Sequence, residues 1–144
     1  MNRIVRQFEK AFDVMRKRNF PQIFVAVDIH ETILKPTWSK ELSTEYYKKA
    51  KETLQLMSDN KNVCLILWSC SLPELNKIYK EFFINDGIKF DYINENPECV
   101  STVYADFDSK LYFSVGLDDK FGFEVEEDWD ELFTYFSQIK KDND

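Results

Sequence analysis

Three polar side chains follow one another at two-residue spacing where a short apolar run of the sequence ends. The run is IFVAVD (23–28), and the side chains are Asp28, His30 and Thr32. An acid, an imidazole and a hydroxyl so placed have the chemistry to attack, protonate and orient a reacting group. The alternative is that they only cap a turn where a strand reaches water. The residues that the fold brings beside them decide between these interpretations.

Two further apolar runs, VCLILW (63–68) and YFSVGLD (112–118), also end in polar side chains. The polar residues at these ends are Ser69, Cys70, Asp118 and Asp119. All three runs are rich in β-branched and aromatic residues, which is typical of strands buried on both faces. IKFDYIN (88–94) predicts a fourth strand.

Helical periodicity separates these strands. Ile4, Phe8, Phe12 and Met15 predict an amphipathic first helix, and Trp129 to Ile139 a last one. Ser43 is expected to begin one helix, and Ser71 to begin another, with Glu74 at capping-box spacing. Strands that alternate with helices predict an α/β fold, a single Rossmann-like domain with a mostly parallel sheet and helices on both faces.

The chain length of 144 residues fits one domain. We expect residues 1–20 to form an N-terminal amphipathic helix packed on the core, residues 21–140 to form the α/β domain, and residues 141–144 to be a disordered tail. The connections between the strands have room for single helices only, which predicts a minimal cap and an open site.

Ligands of an open parallel sheet bind beyond the carboxyl ends of its strands, where all these polar residues fall. Carboxylates from separate strands repel unless a cation lies between them, and a hard divalent ion, Mg²⁺, suits oxygen ligands. Such an ion would polarise a phosphoryl group. Around it, Asp28 would be the nucleophile, Ser69 and nearby amides phosphate donors, and Lys110 a compensating charge.

Asp28-x-His30-x-Thr32, Ser69, Lys110 and Asp118-Asp119, in this order, resemble the four motifs of the haloacid dehalogenase superfamily. LILWSC, FDYINEN and LDDKFGF further resemble a subgroup of small bacterial and phage members. The resemblance extends from about residue 23 to 136.

This resemblance implies a Mg²⁺-dependent phosphohydrolase, possibly nucleotidase-like, that forms an aspartyl-phosphate on Asp28. His30 would protonate the leaving group and then activate water, and its backbone carbonyl would bind the metal. Asp118 and Asp119 would complete the metal site. Thr32 would orient the nucleophile, with Ser69 and Cys70 at the substrate; Cys70 has no partner base and is assigned to packing beside the site.

The sequence departs from the superfamily pattern at three positions. His30 replaces an aspartate, which still permits proton transfer because histidine titrates near neutrality. Glu31 replaces a glycine and places an anion where it would repel phosphate. Ser71 stands where the subgroup often has arginine, which removes one phosphate contact.

Composition restricts the partners. A net charge of −7 argues against nonspecific nucleic-acid binding, which depends on Lys and Arg at phosphates, but permits a small or larger phosphorylated substrate. The apolar runs are too short to cross a bilayer, so no membrane partner is expected. Three cysteines without metal-ligand spacing favour a reducing cytoplasm. An open site also suits a homo-oligomer whose neighbour acts as a lid.

Two other functions stay open. His30 and Glu31 favour a catalytically weak or inactive member that keeps the fold to bind a partner. A receiver-like domain shares acids at strand ends and a lysine, but the Asp-x-His-x-Thr arrangement fits it less well.

Overall fold

The computed structural model describes residues 2–39, 41–107 and 111–143. Its elements, in chain order, are α1 Arg3–Lys17, β1 Ile23–Val27, α2 Ala50–Asp59, β2 Val63–Leu67, α3 Pro73–Asn85, β3 Tyr92–Ile93, β4 Val115–Leu117, a short 3-10 helix Asp119–Phe121, and α4 Asp128–Asn143. None of the helices in these ranges combines the length and apolar character that crossing a bilayer requires.

The strands form one parallel sheet in the order β3-β2-β1-β4. β1 lies at the centre, with Val27 opposite Leu67 of β2 on one side and Leu117 of β4 on the other. Every residue of β1 and β2 is buried, which explains why both read as unbroken apolar runs. The predicted α/β class, Rossmann-like single domain and mostly parallel sheet are confirmed, and α2 and α3 are the only described helices in the β1–β2 and β2–β3 connections.

The two faces of the sheet are covered differently. Val25 and Leu65 point into the main core, to which all four α-helices contribute buried side chains. Phe24 and Ile66 point to the other face, for which helices were also expected. There Tyr112 and Phe113 pack, from a segment between β3 and β4 whose described residues contain neither helix nor strand. Cover by irregular chain explains why this part of the sequence showed no periodicity.

The first helix packs on the core through Ile4, Phe8 and Phe12. Its start is tied to that of α4, because Arg3 donates to the carboxylate of Asp128 at 3.3 Å. Asp128 is only 1% exposed and accepts a further hydrogen bond from the Asn2 side chain. The starts of α1 and α4 are thus joined by an ion pair between the partly exposed Arg3 and the buried Asp128.

Four local predictions were wrong. The second helix begins at Ala50, since Ser43 is held in non-helical chain by its N–H bond to the Tyr79 hydroxyl. The third begins at Pro73 without a side-chain cap, because the Ser71 N–H donates to Ser69 Oγ instead. The fourth strand is only Tyr92–Ile93.

The fourth correction concerns the tail. Residues 141–143 form the last turn of α4, where Lys140 and Lys141 complement the helix dipole. Gln138 also donates to Asp142 across one turn at 2.8 Å. These contacts order residues whose composition alone indicated disorder.

Candidate functional site

Three carboxylates meet at the carboxyl edge of the sheet. One oxygen from each of Asp28, Asp118 and Asp119 lies within 4.8 Å of the other two. Asp118 is buried at 6% exposure, whereas Asp28 and Asp119 are half-buried. The residues come from two strand ends that are 90 positions apart in the sequence, so only the sheet can bring them together.

The backbone ladder continues one step past the strands and sets this geometry. The Asp28 N–H donates to Leu117 O at 2.9 Å, and the Trp68 N–H donates to Val27 O at 2.9 Å. Asp28 is therefore fixed on both sides before its side chain leaves the sheet. Asp118 is fixed next, because its Oδ1 accepts the Lys120 N–H at 2.9 Å and caps the short 3-10 helix.

Thr32 connects the two acidic strand ends. Its hydroxyl donates to Asp28 Oδ2 at 3.4 Å and accepts the Asp119 N–H at 3.2 Å. Its carbonyl accepts the indole N–H of Trp129 at 2.8 Å. Both side chains are fully buried, so α4 holds the loop after β1 from inside the core.

The clustered acids perturb one another. Burial, followed by the charges of Asp118 and Asp119, raises the pKa of Asp28 from 3.8 to about 7. Burial and the neighbouring Asp119 carboxyl also raise the pKa of Asp118. Without a cation, Asp28 is thus close to half-protonated at neutral pH. Burial is the larger cause of the raised pKa of Asp28, and repulsion from the neighbouring carboxylates adds to it.

The donor set fits a hard divalent cation. Ligand oxygens on one Mg²⁺ lie about 3 to 4 Å apart, since each Mg–O distance is about 2.1 Å, so a small closure of the three carboxylates would suffice. The backbone carbonyl of His30 accepts no hydrogen bond from the residues that the structure describes. It is therefore free to act as a further oxygen ligand.

The imidazole of His30 contacts Tyr79 of α3. Its Nε2 lies 3.2 Å from the Tyr79 hydroxyl, and the two rings pack edge to face at 5.5 Å. The Tyr79 hydroxyl oxygen accepts the Ser43 N–H at 3.1 Å, so the proton of the Tyr79 hydroxyl is left to donate to His30 Nε2. Burial lowers the pKa of His30. The ring is thus neutral and oriented by a tyrosine.

Ser69 follows the end of β2, the strand that pairs with β1. Its backbone is bound twice by the side chain of Asn94: the Ser69 N–H donates to Oδ1 at 2.8 Å, and Nδ2 donates to the Ser69 carbonyl at 2.7 Å. The Ser69 hydroxyl oxygen accepts the Ser71 N–H at 3.1 Å and keeps its proton to donate. Cys70 is exposed beside it, at the start of the loop into α3.

Glu31 adopts a strained backbone, with a φ of 64°. Glycine favours this region and glutamate does not, which gives a structural reason for the glycine of the superfamily pattern. The side chain is exposed. Burial is the main reason that the pKa of Tyr47 is raised. The charge of Glu31 is the next cause, and the charge of Asp119 adds to it. The rim of the site is therefore acidic on the side of Glu31.

Lys110 lies outside the described residues, so its expected role stays a prediction. Lys120, next to the acids, opposes the rise in the pKa of Asp118.

Sequence reasoning missed Trp129, Tyr79 and Asn94, which hold Thr32, His30 and Ser69 respectively. Trp129 was already assigned to the apolar face of the last helix. Tyr79 was missed because the apolar stripe predicted for the third helix did not include it, although Tyr79 lies on the buried face of α3. Asn94 gave a usable signal, since a polar amide directly after an apolar run resembles the other strand ends.

Comparison with known proteins supports the fold. A conserved protein from Bacteroides thetaiotaomicron, of solved structure, is 25% identical, with a TM-score of 0.62 over 82% of this chain and 92% of that one. No protein-family model matches the chain, and no curated protein matches it.

Proposed function

We propose that this protein is a Mg²⁺-dependent phosphohydrolase that acts on phosphomonoesters through an aspartyl-phosphate on Asp28, as the haloacid dehalogenase resemblance implies. The observation that carries the proposal is the approach of Asp28, Asp118 and Asp119 at the end of two neighbouring strands. Hydrogen bonds from Thr32 to Asp28 and from the Lys120 N–H to Asp118 offset only part of the repulsion among the three carboxylates, and a bound cation would remove it.

The bound Mg²⁺ would neutralise the three carboxylates and polarise the phosphoryl oxygens. It would also favour the ionised form of Asp28, whose raised pKa otherwise keeps a proton on the nucleophile. Thr32 then orients Asp28 through Oδ2, and the second carboxylate oxygen is left for attack.

Attack forms a bond between an Asp28 oxygen and phosphorus, and the bond from phosphorus to the leaving oxygen breaks. The Ser69 hydroxyl donates to a phosphate oxygen in both states. His30 is neutral in the free site, so it must first take up a proton. As the imidazolium, turned from Tyr79, it would give a proton to the leaving oxygen, and the neutral ring would then take one from the water that hydrolyses the aspartyl-phosphate. The water oxygen bonds to phosphorus as the bond from phosphorus to the Asp28 oxygen breaks, and the products are the alcohol, phosphate and the regenerated Asp28 carboxylate.

Hydrolysis of an aryl phosphate with Mg²⁺ tests this reaction, with Asp28→Asn as the inactive variant and Asp59→Asn as the matched control. Asp59 is exposed at the end of α2, so the same chemical change there should leave turnover unchanged. Chelator should abolish the wild-type activity. Turnover that survives in Asp28→Asn would refute the nucleophile.

A second candidate is a protein that binds a phosphorylated partner without turnover. The contact of His30 with Tyr79 favours it, because the imidazole is engaged away from the carboxylates. Mg²⁺ and phosphate binding without hydrolysis across a panel of phosphate esters would support this candidate and overturn the phosphohydrolase.

A further inference from the structure

Asn94 has a backbone conformation that side-chain packing does not explain. It follows β3 directly, its side chain is exposed, and its φ of 53° lies in the left-handed region. Asparagine tolerates this region better than most residues but still less well than glycine. An exposed residue gains little from packing, so the conformation must be maintained by specific hydrogen bonds.

Those bonds all lead to the end of β2. The Asn94 N–H donates to Leu67 O at 2.8 Å, and its side-chain amide makes the two bonds with the Ser69 backbone. The amide therefore acts as one more strand residue and extends the pairing of β2 with β3 by a step. Only a side chain that donates and accepts at once can do this, which excludes aspartate and alanine.

The consequence of these bonds falls on Ser69 and on the loop that follows it. With the Ser69 N–H and C=O both engaged, the hydroxyl of Ser69 is left as its donor. The loop from Ser69 to Ser71 is also fixed before a ligand arrives, which reduces the entropy lost on binding. Without the amide, Ser69 would be the first residue of a free connection to α3.

We propose that Asn94 is a positioning residue that fixes Ser69 for phosphate recognition. This rests on the proposed function, because Ser69 is a phosphate donor only if the site takes phosphate esters. Asn94 touches neither the reacting atoms nor the carboxylates in this role. Its loss should weaken phosphate affinity and leave the affinity for Mg²⁺ unchanged.

Asn94→Gly tests the proposal without threatening the fold, because glycine suits the φ of 53° while lacking the amide. Asn19→Gly is the matched control, since Asn19 has a φ of 57° and lies in the loop before β1, at the opposite edge of the sheet. Asn94→Asp adds a variant that keeps the acceptor for the Ser69 N–H but loses the donor.

Three quantities should be measured: inhibition of aryl phosphate hydrolysis by inorganic phosphate, Mg²⁺ affinity from thermal shift, and hydrogen exchange of the Ser69 amide by NMR. We expect Asn94→Gly to raise the inhibition constant about tenfold and to speed Ser69 exchange by a similar factor. Asn19→Gly should change each by less than about twofold. Mg²⁺ affinity should not change in either variant.

Equal phosphate inhibition in Asn94→Gly and Asn19→Gly, with an active wild type, would overturn the role of Asn94 and leave the proposed function standing. A tenfold loss confined to Mg²⁺ affinity would overturn it as well. A wild type that neither turns over esters nor binds inorganic phosphate would overturn the proposed function, and the role of Asn94 with it.

Discussion

The acidic site should destabilise the metal-free protein, and the effect should depend on pH. The folded state raises the pKa of Asp28 from 3.8 to about 7, so it holds a proton there that the unfolded chain has already released. Stability is therefore retained below about pH 4 and lost as the pH rises through 7. Asp28→Asn removes this loss, and we expect the variant to be more stable than the wild type at pH 8.

The magnitude follows from the size of the pKa change. One pKa unit corresponds to about 1.4 kcal/mol, so the full change would cost about 4 kcal/mol at pH 8. Asp28 is only half-buried, and solvent screening reduces this figure. We expect Asp28→Asn to raise the free energy of unfolding by about 1–2 kcal/mol at pH 8 and by well under 1 kcal/mol at pH 4.5.

Urea unfolding in chelator at the two pH values measures this difference. Asp59→Asn, at an exposed position, should change stability by less than about 0.5 kcal/mol at either pH. Added Mg²⁺ should stabilise the wild type more than Asp28→Asn. If Asp28→Asn shows the same stability change at pH 4.5 and 8, or lowers stability at pH 8, the electrostatic reasoning is wrong.

Three further perturbations test the supports of the site. Thr32→Val removes the hydroxyl between Asp28 and the Asp119 N–H and should weaken Mg²⁺ binding several-fold in a thermal-shift titration, whereas Thr32→Ser should restore it. Glu31→Gly relieves the φ of 64° and should raise the free energy of unfolding by about 1 kcal/mol in urea; a drop would mean that Glu31 makes stabilising contacts. Asp128→Ala removes the buried acceptor of Arg3, Asn2 and the Glu124 N–H and should lower that free energy by about 1–3 kcal/mol by calorimetry. A change under about 0.5 kcal/mol would show that these contacts contribute little.

The sequence predicted the parts of the fold that burial determines. β1 and β2 are buried at every position, which is typical of central strands in a parallel sheet that is covered on both faces. The approach of Asp28 to Asp118 follows, because parallel strands deliver their carboxyl ends to one edge. This part of the site was predictable from spacing and strand patterns alone.

Contacts between distant residues decided what the sequence could not predict. The position of Tyr46 in the sequence is compatible with a helix and with extended chain. In the structure it lies in extended chain and forms an isolated β-bridge with Leu34. The Tyr79 hydroxyl, supplied from α3, holds Ser43 outside the second helix. Ser71 matches a capping box, but Ser69 takes its N–H first. Local patterns were ambiguous at each of these residues, and a tertiary hydrogen bond selected the outcome.

One face of the sheet is covered by helices and the other by irregular chain. The site therefore has two regions that should open at different free-energy costs. On the helical side, Trp129 holds Thr32, which in turn contacts the carboxylates. Ser69 is held instead by Asn94, which lies where the irregular segment after β3 begins. Chain without repeating hydrogen bonds opens at a lower cost than packed helices. On gentle warming, the region around Ser69 and Asn94 should open before the region that holds the three carboxylates. There would then be a range of temperature in which the protein still binds a metal ion but no longer binds a phosphate ester.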